Sequence, residues 1–198
     1  MDLDKGAALL IAAVFFCYGG CEAAFGNVII SYASRGPLLA SDADAAALNS
    51  AFWGALALGR LLAVWASARI PLGLIVGIDA LGCLLSLGVI LAWPGNQDAL
   101  WAGSAGTGFF MASFFPCLMA LGARRLSPDG RIPASATSFF FVGASLGNVS
   151  IPWLTGQAFD RLSPNWGMGH IFFWLFVMAL FLLWLWRRLG KSLPAAAA

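Results

Sequence analysis

The sequence predicts an all-α membrane protein with six transmembrane helices, and three observations support that prediction. Of the 198 residues, 61% are hydrophobic and only 10% are charged, whereas a soluble domain has about 45–50% apolar and about 25% charged residues. The chain contains six segments that are too long or too apolar to be core helices of a soluble protein. No segment alternates apolar and polar residues as a membrane β-barrel strand would. The composition excludes a water-soluble enzyme, and the net charge of +2 forms no basic stripe for nucleic acid.

The six apolar segments define the predicted spans, and loops containing proline or glycine with polar groups separate them. The spans cover residues 7–34, 48–68, 72–93, 100–121, 135–159 and 171–186. We expect one transmembrane domain over residues 1–194, followed by a disordered alanine tail at 195–198. In each triplet of spans the third member is the most apolar. That is the layout expected of a 3+3 inverted repeat in half of a transporter.

Basic residues divide unevenly between the two sides of the predicted bilayer. Only Arg35 and Arg161 lie on one side. The opposite side carries the ends of the chain and the second and fourth loops, with Lys5, Arg69, Arg124, Arg125, Arg131, Arg187, Arg188 and Lys191. Because cytoplasmic loops carry the excess of lysine and arginine, both termini are expected in the cytoplasm. The sequence does not indicate which cellular membrane holds the protein.

The first span carries a carboxylate near the middle of the predicted membrane. Glu22 lies 15 residues into that span, about 22 Å from its start at 1.5 Å per residue. Tyr18 lies one helical turn earlier on the same face. Ionisable groups at this depth usually face a cavity. Glu22 is therefore a candidate for contacting a solute or a coupling ion, and the alternative is a hydrogen-bonded packing residue.

Two further charges flank the loop between the second and third spans. Arg60 lies about ten residues before the centre of that loop, and Asp79 about nine residues after it. Antiparallel neighbours would place both charges at similar depth, and an unpaired buried charge is costly. We therefore expect Arg60 and Asp79 to pair or to share a network. Such a pair could be structural or could form a gate that opens during transport.

The fifth span combines close-packing residues with polar ones. Gly143 and Gly147 form a G-x-x-x-G face for another helix, and Pro152 predicts a kink. Asn148 lies near the middle of the membrane, and Gln157 lies farther along the same span. Both amides are candidates for hydrogen bonding to a solute, and the alternative is a role in helix packing alone. The fourth span repeats this theme with several glycines and a proline, Pro116.

An intramembrane serine protease is considered and disfavoured. Ser145 occurs in a G-x-S-x-G sequence, and His170 precedes the sixth span. A catalytic Ser–His pair must approach to about 3 Å, yet these residues are expected to differ in depth by more than about 10 Å. No cofactor is indicated. No metal site is indicated either, because Cys17 and Cys21 lack further ligands.

The first span resembles the seventh helix of major facilitator superfamily transporters. Residues 16–33 contain the Y-x-G-x-E pattern and the aromatic–glycine pair that recur in one branch of that superfamily. This branch contains the sodium-dependent glucose transporters and the fucose–proton symporters. Asn27 follows the aromatic–glycine pair and is a further polar candidate for the solute path.

Three other spans resemble later helices of the same family in the correct order. The Gly-Arg pair within 52–60 resembles the eighth helix. The Ser-Phe-Phe-Pro sequence ending the stretch 110–116 resembles the tenth helix, and the glycines and proline of 142–160 resemble the eleventh. The resemblance covers nearly the whole chain and identifies it as similar to the C-terminal half of such a transporter.

The resemblance implies alternating access around a central site for a small polar solute, most of all a sugar. A bilayer is one expected partner, and a second six-helix half is another, either an N-terminal half or another copy of this chain. H⁺ and Na⁺ are the candidate coupling ions for symport. The remaining alternative is a truncated or regulatory six-helix membrane protein without transport activity of its own.

Overall fold

The computed structural model describes residues 5–126 and 134–190, and the regular secondary structure in these ranges is helical. The helices are α1 (Lys5–Arg35), α2 (Asp42–Ser67), α3 (Leu72–Ala92), α4 (Gln97–Met111), α5 (Phe114–Leu126), α6 (Ala134–Arg161) and α7 (Pro164–Gly190). Within the described residues, six helical segments are long and apolar enough to cross a bilayer, with α4 and α5 together forming one of them. The prediction of an all-α protein with six spans is confirmed. Arg131, Lys191 and the tail at 195–198 lie outside the described residues.

Several helices begin earlier than the apolar segments predicted. The helix of the second span begins at Asp42 rather than at residue 48, and the sixth span begins at Pro164 rather than at residue 171. The cause in α2 is a polar cap, since the Ser41 hydroxyl accepts a hydrogen bond from the Asp44 backbone N–H at 3.2 Å. Proline suits the first position of α7 because it needs no backbone partner there. Capped, polar first turns extend these helices beyond their apolar part.

The fourth span is broken, where the sequence predicted one continuous helix over residues 100–121. Its two parts are α4, which ends at Met111, and α5, which begins at Phe114. Pro116 accounts for the break because it has no backbone N–H to donate to the carbonyl of Ala112, four residues earlier. Proline is tolerated in the first turn of α5, where N–H groups have no helical partner. The break between α4 and α5 therefore follows from the local sequence.

α1 lies at the centre of an incomplete ring formed by the other helices. Around it, α2 packs on α4, the α4–α5 segment packs on α3, α3 packs on α7, and α7 packs on α6. The ring is open between α2 and α6. The most apolar stretch of α1 is 72% buried, whereas the corresponding stretches of α2 and α6 are only 28% and 22% buried. One face of the central helix is therefore reached through the gap between α2 and α6.

Candidate functional site

Close packing between α1 and α6 sets the position of the candidate site. A Cβ atom added to Gly143 would lie 2.6 Å from the Ala12 carbonyl oxygen, and Gly147 lies directly against the Phe16 carbonyl. A Cβ atom on Gly20 would lie 2.7 Å from the Gly147 carbonyl oxygen. The two helices therefore run parallel, and the G-x-x-x-G glycines lie at their crossing.

The central feature of the open face is an ion pair between α1 and α2. The Arg60 Nη2 atom lies 3.5 Å from Glu22 Oε1. The Arg60 side chain is 50% exposed, whereas that of Glu22 is 18% exposed. The other carboxylate oxygen, Glu22 Oε2, is buried and accepts no hydrogen bond from the residues that the structure describes. The pair therefore keeps a free acceptor on α1 and a solvent-facing donor on α2.

Tyr18 joins this pair from one turn away on α1. Its hydroxyl interacts with both the Glu22 carboxylate and the Arg60 guanidinium. The Tyr18 ring is 5% exposed, and its centroid lies 5.7 Å from that of Phe114 at the start of α5. The ring is thus held by packing, and the hydroxyl is aimed at the ion pair. We call Tyr18, Glu22 and Arg60 the polar triad.

Asn148 lies next to the triad on the α6 side of the gap. A Cβ atom on Gly19 would lie 2.8 Å from Asn148 Oδ1, so the amide packs directly over a glycine three residues before Glu22. The Asn148 residue is exposed. Pro152, which lies inside α6, has no N–H to donate to the Asn148 carbonyl. That position therefore offers both an amide side chain and a free backbone acceptor.

Asn27 and Gln157 lie closer to the α1–α2 loop than the polar triad does. Because α1 and α6 run parallel with Gly20 against Gly147 and Ile151, Asn27 and Gln157 share a depth beyond Glu22, toward the α1–α2 loop. Asn27 is five residues past Glu22, or about 7.5 Å. Asn27 is exposed, and Gln157 is half-buried. Asn27 lies nine residues past Tyr18, and Gln157 lies nine residues past Asn148. At about 3.6 residues per turn, each of these separations is half a turn around its helix, so the five predicted path residues do not share one face, and Asn27 and Gln157 lie apart from the polar triad.

The predicted pairing of Arg60 with Asp79 is wrong. Arg60 contacts Glu22 instead, and the Asp79 carboxylate accepts a hydrogen bond from the Ser113 hydroxyl. The two charges do share a depth, as the loop spacing predicted. The pairing fails because the fourth span packs between α2 and α3, which scarcely touch each other.

His170 belongs to a separate hydrogen-bonded chain between α6 and α7. Its Nδ1 atom lies 2.9 Å from the Thr155 hydroxyl, and Trp174 Nε1–H donates to its Nε2 atom at 3.1 Å. Because the indole can only donate, Nε2 is the acceptor and Nδ1–H donates to Thr155. Ser145 precedes Thr155 by ten residues of helix, about 15 Å. His170 therefore cannot activate Ser145, and it lies inside α7 rather than before the last span.

Two contacts of the site were not predicted from the sequence. Ser113 is the partner of Asp79, and its position three residues before Pro116 was the available signal, since a proline breaks a helix and frees groups nearby. Trp53 lies against Gly26, where an added Cβ atom would be 2.7 Å from the indole Cζ2. The Trp53 ring is 43% exposed and provides an aromatic surface beside the gap.

Comparisons with known proteins place these features in a family. No family model matches the chain. The chain is 35% identical to sodium-dependent glucose transporter 1 of Xenopus laevis over 156 residues, which are 79% of this chain and 31% of that protein. It is 31% identical to major facilitator superfamily domain-containing protein 4A of Homo sapiens over 186 residues, which are 93% of this chain and 35% of that protein. The chain therefore spans about a third of the length of these relatives.

Solved structures show the same fold at low sequence identity. An auto-inhibited peptide transporter of the POT family superposes with a TM-score of 0.85 and 14% identity, over 98% of this chain and 39% of that one. A mutant POT peptide transporter in complex with sulfate gives a TM-score of 0.75 and 20% identity, over 90% of this chain and 37% of that one. These relatives and structural neighbours are transporters rather than enzymes. The chain is an integral multi-pass membrane protein that belongs to the major facilitator superfamily of transporters.

Proposed function

We propose that this chain carries a sugar across a membrane by alternating access, as the C-terminal half of a major facilitator-type secondary transporter. The observation that carries the proposal is the polar triad, which joins α1 to α2 beside the opening between α2 and α6. Ionisable groups inside transmembrane helices are costly, and where they occur they commonly mark a solute or ion path. Relatives named as glucose transporters indicate the class of solute.

The chemistry along the open face fits a polyhydroxylated solute. A sugar hydroxyl both donates and accepts hydrogen bonds, and Glu22 Oε2 is a buried acceptor with no hydrogen bond from the described residues. Arg60 and Asn148 add exposed donors. The exposed ring of Trp53 supplies an apolar surface for the C–H face of a sugar ring. Directional polar groups beside an aromatic surface are the arrangement that small-molecule sites commonly use.

A second six-helix half would complete this site. The triad is walled by α1, α2 and α6 but is open opposite α1, so a solute bound there would touch this chain on one side only. The large exposed parts of α2 and α6 would pack against that half. It could be an N-terminal half of the same transporter or a second copy of this chain. The proposal also keeps both termini cytoplasmic, in accordance with the excess of basic residues on that side.

Coupling to H⁺ or Na⁺ is part of the proposal. A carboxylate that exchanges one cationic partner for another can link ion binding to a change of conformation, and Glu22 already pairs with Arg60 at 3.5 Å. A ligand can shift an equilibrium only by its differential affinity for the two states. An ion that competes with Arg60 for Glu22 would have such a differential affinity.

Uptake of radiolabelled D-glucose into proteoliposomes tests the proposal. One set of vesicles holds this chain alone, and another holds it with the N-terminal half of the Xenopus laevis relative. We expect uptake above empty liposomes in at least one set, driven by an inward Na⁺ or H⁺ gradient. Glu22→Gln should abolish the gradient dependence. Asp98→Asn, which changes an exposed carboxylate in the first turn of α4, should not. Uptake equal to that of empty liposomes in both sets would refute sugar transport.

A further inference from the structure

Asp79 is a second buried carboxylate, and the proposed sugar path does not use it. It lies in α3, seven residues past Leu72, or about 10 Å from the start of that helix. The residue is 8% exposed. Its carboxylate accepts the hydrogen bond of the Ser113 hydroxyl, and Ser113 occupies the break between α4 and α5. The site therefore joins α3 to the one interruption among the described spans.

Among the side chains that the structure describes on the helices packed on α3, none brings a cation to this carboxylate. Its neighbours are Ser113 in the break, the Cys117 thiol on α5 and the Cys83 thiol on α3 itself. α7 packs antiparallel to α3, with Trp186 at Gly73 and Phe172 at Gly88. At the depth of Asp79, α7 therefore presents the apolar residues of 179–181.

The other charged or titratable side chains near the depth of Asp79 or on α7 either contact other groups or lie far from the Asp79 carboxylate. Arg60 lies on the far side of the fourth span and contacts Glu22. His170 bonds to Thr155 and Trp174, about ten residues from the level of Asp79. Arg187 lies about seven residues away in the other direction, or about 10 Å. A buried carboxylate without a cationic partner is costly, and binding a proton removes that cost.

A cavity lies between α2, α3 and α5 near the α2–α3 loop, and one residue of its lining, Cys117, neighbours Asp79. The cavity has a volume of about 180 Å³ and is lined by residues of α2, α3 and α5, among them Ser67, Leu72, Pro116, Cys117 and Ala120. This volume accommodates several water molecules, since each occupies about 30 Å³ in the liquid. Cys117, which lines the cavity, interacts with both Ser113 and Asp79. The Cys117 side chain would therefore lie between water in the cavity and the Asp79 carboxylate.

We propose that Asp79 is a proton-binding site, separate from the polar triad and reached through this cavity. The proton comes from water in the cavity and forms an O–H bond with the carboxylate, which becomes a neutral carboxylic acid. Among the described residues no group of three or more His, Cys, Asp or Glu side chains is placed to hold a metal ion, and the hydroxyl and single carboxylate do not supply the six or more oxygen atoms that hard cations prefer. The proposal does not depend on which solute the protein carries.

Proton binding has a structural consequence at the break. A hydrogen bond to a charged acceptor is about twice as strong as one to a neutral acceptor. Neutral Asp79 therefore holds Ser113 more weakly, and α3 loosens its contact with the junction of α4 and α5. Gly59 of α2 packs on the other side of that junction, with its Cβ position 2.6 Å from the Ala112 Cβ atom. Asp79 is thus placed to influence the helix that carries Arg60.

Infrared spectroscopy of the full chain in lipid vesicles tests the proposal without a transport assay. We expect a carboxylic acid C=O band to grow as the pH falls from about 9 to about 6, a range in which exposed Asp and Glu side chains stay ionised and a buried carboxylate can bind its proton. Asp79→Asn should remove this band, whereas Glu22→Gln and Asp98→Asn should retain it. Ser113→Ala should shift the band to higher wavenumber because the acceptor loses its donor.

Two outcomes would overturn the proposal. One is a titrating band that survives unchanged in Asp79→Asn, and the other is the absence of any titrating band in the wild-type protein. If Asp79→Asn does not fold, the Ser113→Ala variant decides, since an unshifted band would assign the proton to another group. Ala120→Phe tests the route: filling the cavity should slow exchange of the carboxylic proton in D₂O at least several-fold, and an unchanged rate would refute access through the cavity.

Discussion

A single methyl group at the crossing of α1 and α6 should destabilise the protein, although the same change elsewhere in α6 should stabilise it. In Gly143→Ala the new Cβ atom would lie 2.6 Å from the Ala12 carbonyl oxygen. Close C···O contacts in proteins are about 3.3 Å or longer. The two helices would therefore have to separate locally by about 0.7 Å. This is the difference between those two distances, and it would disturb the most extensive helix–helix contact of the fold.

Gly156→Ala is the matched control, because nothing lies within 4 Å of its Cβ position and both glycines belong to α6. Replacing a helical glycine by alanine gains about 0.5–1 kcal/mol through reduced backbone entropy in the unfolded state. Both variants receive that gain, but only Gly143→Ala incurs an overpacking cost of about 1–3 kcal/mol. We therefore expect the two variants to differ by about 1–3 kcal/mol, with Gly156→Ala the more stable.

Reversible unfolding in mixed micelles of dodecyl maltoside and sodium dodecyl sulfate measures this difference. The transition can be followed by helical circular dichroism for the wild-type protein and the two variants. Equal stabilities of Gly143→Ala and Gly156→Ala would contradict the close approach of α1 and α6, and with it the placement of Asn148 beside Glu22.

Three further predictions concern other contacts. A double-mutant cycle of Glu22→Gln and Arg60→Gln should give a coupling free energy of unfolding of about 0.5–1 kcal/mol, the range for partly exposed ion pairs, and additive single variants would contradict the contact. Pro116→Ala should restore the missing N–H donor and join α4 to α5, which slower hydrogen–deuterium exchange at residues 110–116 would detect; unchanged exchange would mean that the break has another cause. Thr155→Val leaves the Nδ1–H group of His170 without its acceptor and should cost about 1–3 kcal/mol in the same unfolding assay, whereas a neutral effect would exclude the assigned tautomer.

The number and order of the membrane spans could be predicted from the sequence because hydropathy acts over whole segments. About 20 apolar residues contain enough signal to outweigh individual exceptions. The ends of the helices could not be predicted from that signal. Residues 42–47 of α2 are polar or small, and their helical state depends on the cap at Ser41 rather than on apolar character.

Which side chains contact each other across helices was harder to predict than the depth of each side chain in the membrane. The spacing around the α2–α3 loop gave the correct common depth of Arg60 and Asp79, because rise per residue is a local property. It could not show that the fourth span separates them, since helix order around a bundle is decided by packing among all members. The contact of Glu22 with Arg60 could be predicted only with knowledge of that helix order. Ser113 was a foreseeable partner for a buried carboxylate only once the break before Pro116 had been recognised.

The register of α1 against α6 also has a consequence for biosynthesis. Ala12 meets Gly143, and Phe16 meets Gly147, so contacting residues are separated by about 130 positions in the chain. At about 5–20 residues per second, a ribosome needs roughly 7–26 seconds to make the second surface after the first. During this interval the side of α1 that carries Gly19 and Gly20 must reside in the translocon or the lipid without its final neighbour. Close packing of α1 is therefore completed only when α6 has been made.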